Sequence, residues 1–339
     1  MRQISIKDVE NIRIGQAENL SAGTGCTVVI CDRGAPTGLD IRGGGPATRE
    51  TGLLSPLASA DKIHALVLSG GSAFGLDAAG GVMRYLEERH IGFDVGVTKV
   101  PLVCQSSLFD LTVGDCAVRP DAHMAYAACV ASEKGNYRDG NYGAGTGATV
   151  GKYRGMSYCM KSGIGSHAVQ IGELKVGALV AVNALGDVYD WKTGKMVAGM
   201  LNGEKNSFRP TVEDMYAGYT VIENKFTGNT TIGIVMTNAC FDKSRLCKIA
   251  GMAQNGLARS IRPVHTSADG DSVYAMSVGT VQADMDMVGT LAADVMSEAI
   301  LSAVKNAQTA YGYISTSDFL CQTGAGAERY RTASRTLWP

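Results

Sequence analysis

The sequence predicts a mixed α/β fold with a strand-rich interior and many tight turns. Three observations indicate it: short Val- and Ile-rich runs bounded by Gly or Asn, apolar residues at helical spacing, and an unusual composition. The chain has 43 Gly in 339 residues and only 19% charged side chains, whereas average proteins contain about 7% Gly and about 25% charged residues. The length permits two domains without requiring them.

Four apolar runs predict buried strands: residues 26–31, 64–70, 176–185 and 231–239. Three segments predict helices. The first follows Asp242, a good N-cap type, and has a face of Leu246, Ile249, Ala253 and Leu257. The second has a face of Leu291, Val295, Ala299 and Val304. The third begins near Phe74 and continues through LDAAGGVMRYLEERH.

Charge and hydropathy exclude several classes of function. The net charge is −1 and like charges form no block, so we expect no nucleic-acid or anionic-lipid partner. The N-terminus does not have the pattern of a signal peptide, which predicts a cytoplasmic protein. The apolar runs at 63–68 and 176–182 are too short to span a membrane.

The nine cysteines show no C-x-x-C spacing and are interpreted as reduced and mostly buried, without a metal.

The segment GAGTGATVGKY, residues 143–153, nearly matches the phosphate-binding P-loop. Thr146 stands where the pattern requires its first Gly, and Tyr153 replaces the hydroxyl that holds magnesium. A dinucleotide-binding pattern over residues 143–148 lacks the following helix and the ribose-binding acid. The segment is therefore typical of tight turns between strands, and Lys152 needs another explanation.

The five histidines lie far apart and show no metal-ligand spacing. A Ser-His-Asp triad stays possible because triads assemble in space, but the nucleophile elbow G-x-S-x-G is absent. We interpret the histidines as structural: His64, His90, His123, His167 and His265.

The junction Asn229-Thr230, in GNTTIGIVMTNAC at residues 228–240, has three interpretations. It is an ordinary turn into a strand, a glycan acceptor in an exported chain, or a bond that the protein cuts itself. In the third, the Thr230 hydroxyl attacks the preceding carbonyl, and hydrolysis of the ester frees an N-terminal Thr whose α-amine is the base. Asp269 and Asp271 are two residues apart, so on an extended segment both point toward one side; alone they are a turn or a weak cation site.

Seven segments in one order resemble the DmpA-like family, the L-aminopeptidase/D-esterases, which includes β-peptidyl aminopeptidases and nylon-oligomer hydrolases. The segments are RGGGPATRET (42–51), LSGGSAFGLDAAGGV (68–82), LFDLTVGD (108–115), GAGTGATVGK (143–152), VGALVAVNALGDV (176–188), NTTIGIVMTNA (229–239) and GLARSIRPVHTSADGDSVYA (256–275). The resemblance implies one domain over residues 1–320, a four-layer αββα sandwich similar to the N-terminal-nucleophile hydrolases. Residues 321–339 are expected to be a loose tail.

The resemblance also implies a precursor that cuts itself at Asn229-Thr230. The products are an α chain of residues 1–229 and a β chain of residues 230–339. The family nucleophile lies seven residues before the Thr of its T-[DN]-A strand end, here Thr237, which places it at Thr230.

Four further residues match family positions. The resemblance implies that Lys152 and Asn183 stabilise an oxyanion, and that Asp269 and Asp271 position the new N-terminus. Where some relatives carry a Tyr near the reacting carbonyl, this chain has Phe109, which cannot donate a hydrogen bond.

The expected activity is hydrolysis of amide bonds in small peptides or amide oligomers through an acyl-Thr230 intermediate. No cofactor is implied, and the resemblance implies a homo-oligomer, in the family a tetramer of αβ units. Three alternatives stay open. An acyltransferase of the ornithine acetyltransferase type would pass the same acyl group to an amine, a nucleotide-binding α/β protein would bind ATP uncut, and a structural homologue would process without turnover.

Overall fold

A computed structural model describes residues 1–218 and 228–323. In these ranges the α-helices are α1 (Ala78–Glu87), α2 (Ala122–Ser132), α3 (Thr211–Ala217), α4 (Lys243–Ser260), α5 (Met285–Asn306) and α6 (Thr316–Thr323). Short 3-10 helices span Ile6–Asp8, Thr51–Leu54, Ser72–Asp77, Gly143–Gly145 and Met156–Tyr158. The strands are β1 (Arg2–Ile4), β2 (Arg13–Asn19), β3 (Thr24–Ala35), β4 (Thr37–Ile41), β5 (Ala47–Arg49), β6 (Ile63–Ser69), β7 (Phe93–Asp94), β8 (Lys99–Val100), β9 (Val103–Ser107), β10 (Thr149–Val150), β11 (Met160–Lys161), β12 (Ile164–Ile171), β13 (Leu174–Asn183), β14 (Asp187–Tyr189), β15 (Met196–Ala198), β16 (Thr230–Ala239), β17 (Ile261–Arg262) and β18 (Ser272–Val281).

Two large sheets form the centre of the molecule. The first has six strands in the order β1-β12-β13-β16-β18-β4, and the second has five in the order β2-β3-β6-β9-β5. Helices α4 and α5 pack on the outer face of the first sheet, and α1 and α2 cover the second. The four-layer αββα sandwich is therefore confirmed.

Alternation along β16 shows how one strand serves two cores. Ile232, Ile234 and Met236 lie in the apolar core between the two sheets. Val235 and Ala239 lie on the opposite face, in the core shared with α4 and α5. Because both faces are covered, the strand reads as an almost continuous apolar run rather than as an alternating one.

Some of the many glycines let layers approach closely. A Cβ added at Gly38 on β4 would lie 2.1 Å from the backbone N of Cys247 on α4. One added at Gly165 on β12 would lie 2.2 Å from the carbonyl oxygen of Ala299 on α5. Side chains at these positions would force the helices off the sheet.

The predicted elements are present. The four apolar runs overlap β3, β6, β13 and β16, and two of the helical faces lie in α4 and α5. The helix predicted from near Phe74 is divided: Ser72–Asp77 form a 3-10 helix, and α1 begins at Ala78. Asp242 caps α4 as expected, because its carboxylate accepts the backbone N–H of Arg245 at 2.9 Å. All nine cysteines are free thiols, and five of them are buried.

Helix α5 is the one helix of the described residues that is long and apolar enough to cross a membrane, with a mean hydropathy of 1.4 in its most apolar window. However, 67% of that window is buried inside the fold, where the helix packs against α4, β12 and β13. The length and apolar composition of α5 are therefore those of a helix in the core of the fold.

The end of the domain differs slightly from the prediction. The expected tail began at residue 321, but α6 continues to Thr323. Within α6, Phe319 is buried and its ring lies 4.6 Å from that of Phe208. The remaining residues of the predicted tail, 324–339, lie outside the described ranges.

Candidate active site

Sheet register brings three of the predicted site residues together. Thr230 is the first residue of β16, a central strand, and is 5% exposed. Asn183, the last residue of β13, lies directly opposite Thr230 in the antiparallel pair. On the other side, an isolated parallel bridge joins Asn229 to Asp269.

The buried ammonium of Lys152 joins this group from a loop that follows β10. Lys152 is 1% exposed. Its Nζ donates to the backbone oxygen of Asn183 at 3.0 Å, to Oδ1 of the same residue at 2.8 Å and to the carbonyl of Gly228 at 3.1 Å. The backbone N–H of Lys152 donates to Leu185, just beyond β13. Lys152 thus contacts the residue that precedes Asn229.

Burial lowers the pKa of Lys152 to about 7, and acidic side chains around it oppose this shift. The three acceptors on Nζ also favour the ammonium form. Because the side chain is buried and engaged, Lys152 does not present its charge to a phosphate. The buried position of Lys152 explains why residues 143–153 resemble a P-loop but lack its first Gly and its magnesium-binding hydroxyl.

The Asn183 side chain is held from both ends. Its Oδ1 accepts from Lys152 and from the backbone N–H of Thr149 at 3.1 Å. Its Nδ2 donates to the carbonyls of Phe109 at 2.8 Å and Gly228 at 3.3 Å. Thus Lys152 and Asn183, the two predicted oxyanion donors, both point at the carbonyl of Gly228, one residue before the predicted cleavage site.

The carbonyl of Asn229 itself has a different donor. The backbone N–H of Gly270 donates to the Asn229 oxygen at 2.9 Å, and the Thr230 hydroxyl is also in hydrogen-bond contact with that oxygen. The predicted nucleophile, the carbonyl and a backbone N–H donor therefore meet at one peptide bond. Sequence reasoning missed Gly270 because a backbone donor has no side-chain signature.

The two acidic residues have separate partners. Asp271 Oδ1 accepts the backbone N–H of Thr231 at 2.8 Å, which fixes the residue after Thr230. Asp269 Oδ2 accepts the backbone N–H of Thr266 at 2.8 Å and its hydroxyl at 2.5 Å. Burial, followed by the negative charge of Asp271, raises the pKa of Asp269.

One of the five histidines contacts this pair. His265 Nδ1 lies 2.9 Å from Asp271 Oδ2, and its backbone N–H donates to the same oxygen at 3.1 Å. The other ring nitrogen is buried and has no partner among the described residues. The short separation from Asp271 was the available signal in the sequence. His265, which was expected to be purely structural, therefore lies at the edge of the candidate site, in contact with Asp271.

The glycine-rich segment at residues 42–45 supports the acidic turn from outside. The backbone N–H of Arg42 donates to the carbonyl of Asp271 at 3.0 Å, and that of Gly45 donates to the carbonyl of Asp269 at 2.8 Å. These bonds fix the turn before β18, from which Gly270 presents its N–H. Within residues 1–218 and 228–323, no three His, Cys, Asp or Glu side chains are grouped to hold a metal ion.

The profile of peptidase family S58 matches residues 5–317. The chain belongs to this family. An S58 member is a hydrolase of peptide or amide bonds, which agrees with a buried hydroxyl and a backbone N–H that meet at the Asn229 carbonyl.

Relatives of this S58 chain include a Mycobacterium leprae protein named an uncharacterized aminopeptidase, which is 37% identical over 91% of this chain and 92% of that protein. A 6-aminohexanoate-oligomer endohydrolase of Kocuria sp. is 29% identical over 88% of this chain and 85% of its own.

Solved structures show the same fold. An L-aminopeptidase D-Ala-esterase/amidase from Ochrobactrum anthropi, described as a variant of the Ntn hydrolase fold, superposes with a TM-score of 0.70 at 16% identity, with 94% of each chain covered. A β-aminopeptidase from Burkholderia sp. gives a TM-score of 0.65 at 18% identity, with 95% of each chain covered.

Gly270→Ala is expected to slow the predicted cleavage at Thr230 about tenfold or more. A Cβ at residue 270 would lie 2.7 Å from Thr230 Oγ1. Overpacking of this kind costs about 1–3 kcal/mol, and an activation barrier raised within that range accounts for such a change in rate. Gly45→Ala is the matched control, because its Cβ would meet only the Asp269 oxygen at 3.9 Å. Gel analysis of precursor decay checks both variants; equal rates would show that close packing of residue 270 against Thr230 Oγ1 does not control the cleavage.

Proposed function

We propose that this protein is a self-processing amidase or aminopeptidase that acts through an acyl-Thr230 intermediate. One observation carries the proposal: the Thr230 hydroxyl contacts a carbonyl oxygen that also accepts the N–H of Gly270. Hydroxyl nucleophiles that attack carbonyls need such a donor for the developing negative charge.

Self-cleavage proceeds in two steps. The Thr230 oxygen attacks the carbonyl carbon of Asn229, the C–N bond breaks, and the hydroxyl proton ends on the departing nitrogen. This nitrogen becomes the α-amine of Thr230, and an ester now joins Asn229 to Oγ1. Water then hydrolyses the ester, which leaves a carboxylate on Asn229 and restores the hydroxyl. The Gly270 N–H polarises the carbonyl throughout.

Turnover repeats this chemistry on an external amide. The Thr230 hydroxyl attacks the substrate carbonyl while the free α-amine takes its proton and passes it to the leaving amine. Water then hydrolyses the acyl ester. Lys152 and Asn183 supply the oxyanion donors once Gly228 has left them. Asp269 and Asp271 hold the turn and the strand that frame the new N-terminus.

The substrates that we propose are small peptides or amide oligomers. The names of the relatives, an aminopeptidase and a 6-aminohexanoate-oligomer endohydrolase, support this class. The proposal also includes the homo-oligomer that the family resemblance implies and the cytoplasmic location expected from the sequence. Transfer of the acyl group to an added amine, detected as a new amide product, would instead identify an acyltransferase.

Thr230→Ala is expected to give an uncut and inactive precursor, because the nucleophile is removed. Thr230→Ser keeps a hydroxyl and is expected to be cut. Denaturing gels follow cutting, and a panel of aminoacyl p-nitroanilides and amide oligomers follows hydrolysis. Circular dichroism and thermal melting check that the Ala variant is folded. Hydrolysis by Thr230→Ala at the wild-type rate contradicts the role of Thr230.

The fall of kcat/KM toward low pH, its acid limb, identifies the group that acts as the general base. The α-amine must be neutral to accept a proton, so kcat/KM falls about tenfold per pH unit below its pKa, which is ordinarily about 7.7–8.0. A nearby carboxylate stabilises the ammonium and raises that pKa. Asp269→Asn removes this charge, so the limb is expected to move to lower pH. Loss of the limb in a folded, cut His265→Asn variant would identify a histidine base instead.

A further inference from the structure

The residues before Thr230 occupy the acyl side of the site. Self-cleavage transfers the carbonyl of Asn229 to Thr230 Oγ1, so Asn229 stands where the acyl residue of a substrate stands, and Gly228 stands one residue further back. The carbonyl of Gly228 is bound by Lys152 Nζ at 3.1 Å and Asn183 Nδ2 at 3.3 Å. Gly228 therefore has a defined position in the uncut chain, one residue before the acyl residue.

The position of Gly228 has no room for a side chain. A Cβ added at Gly228 would lie 2.0 Å from Cδ1, 2.1 Å from Cγ and 2.7 Å from Cβ of Phe109. These contacts are far below the separation that real Cβ atoms show, and they involve the root of the side chain as well as the ring. A change of rotamer therefore cannot relieve all of them.

Phe109 cannot easily withdraw because its backbone is held on both sides. Its carbonyl accepts from Asn183 Nδ2 at 2.8 Å. The preceding Leu108 is fully buried, and its N–H donates to Ser69 on β6 at 2.8 Å. The following Asp110 is buried and accepts the hydroxyl of Thr24 at 2.7 Å.

We propose that Phe109 determines specificity by closing the position of Gly228 to side chains. This inference rests on the proposed function of Thr230. The accepted acyl groups then carry only hydrogens at that position. They are a single aminoacyl group, a glycyl-aminoacyl group or an unbranched polymethylene chain, and peptides with a side chain there are rejected.

The protein's own bond is the first test substrate. Gly228→Ala is expected to be cut at least tenfold more slowly than wild type. Pulse-chase labelling in cell-free synthesis, with the chains separated on a gel, measures the rate of cutting. In a Phe109→Gly background, which removes the Cβ and the ring, Gly228→Ala is expected to cut within about threefold of Phe109→Gly alone. The double variant keeps any backbone strain and removes only the collision.

Backbone strain is the competing explanation, because Gly228 has a φ of +64°, which disfavours side chains. Gly194→Ala is the matched control: Gly194 has a φ of +69°, and an added Cβ meets nothing within 4 Å. It is expected to fold and cut like wild type. If Gly228→Ala is not slowed, or is slowed equally in both backgrounds, the ring does not close this position and the proposal is wrong.

Turnover by the cut enzyme tests the same position on external substrates. The ratio of kcat/KM for glycyl-asparagine p-nitroanilide to that for alanyl-asparagine p-nitroanilide is expected to exceed about ten, and to fall below about three in Phe109→Gly. A wild-type ratio near one, or hydrolysis of neither, overturns the proposal. If the wild-type chain is never cut, the proposed self-processing itself fails, which is a separate result from equal rates with Gly and Ala.

Discussion

A buried ammonium at the start of β16 is the constraint on which the site depends. Removing a charge from water costs several kcal/mol unless good hydrogen bonds replace the hydration. For Lys152 those bonds come from the end of β13, through Asn183, and from Gly228 before the proposed cleavage site. The charge is satisfied only when these segments lie at one place. The same contact therefore stabilises the fold locally and fixes the chain that leads into Thr230.

The uncut chain divides its donors between two neighbouring carbonyls. Lys152 and Asn183 bind the oxygen of Gly228, while the N–H of Gly270 binds that of Asn229. Self-cleavage and turnover therefore draw on different donors in our account. The polar ends of the Asn229 side chain are buried without a partner among the described residues, and such groups cost about 1–3 kcal/mol each. Release of Asn229 after the proposed cleavage would remove that penalty.

Much of the fold was predictable from the sequence because local signals determine it. Asp242 marks the start of α4, and Val/Ile runs mark the buried strands. The family resemblance supplied the sandwich and the set of site residues, but not their partners. Lys152 meets Gly228 across 76 positions of sequence, and the pairing of Asn183 with Thr230 is a property of strand order. Neither leaves a local pattern. The Gly270 donor is a backbone N–H, which carries no sequence signal. For His265 the only signal in the sequence was its short separation from Asp271.

The N-terminal sequence of the small chain in the purified protein, together with the intact masses of both chains, tests the role of Thr230 directly. We expect two chains and the sequence Thr-Thr-Ile-Gly-Ile, which starts at Thr230. A small chain that starts elsewhere contradicts the assignment of the nucleophile. A single uncut chain that hydrolyses amides contradicts the mechanism, because its Thr230 would have no free α-amine to act as the base.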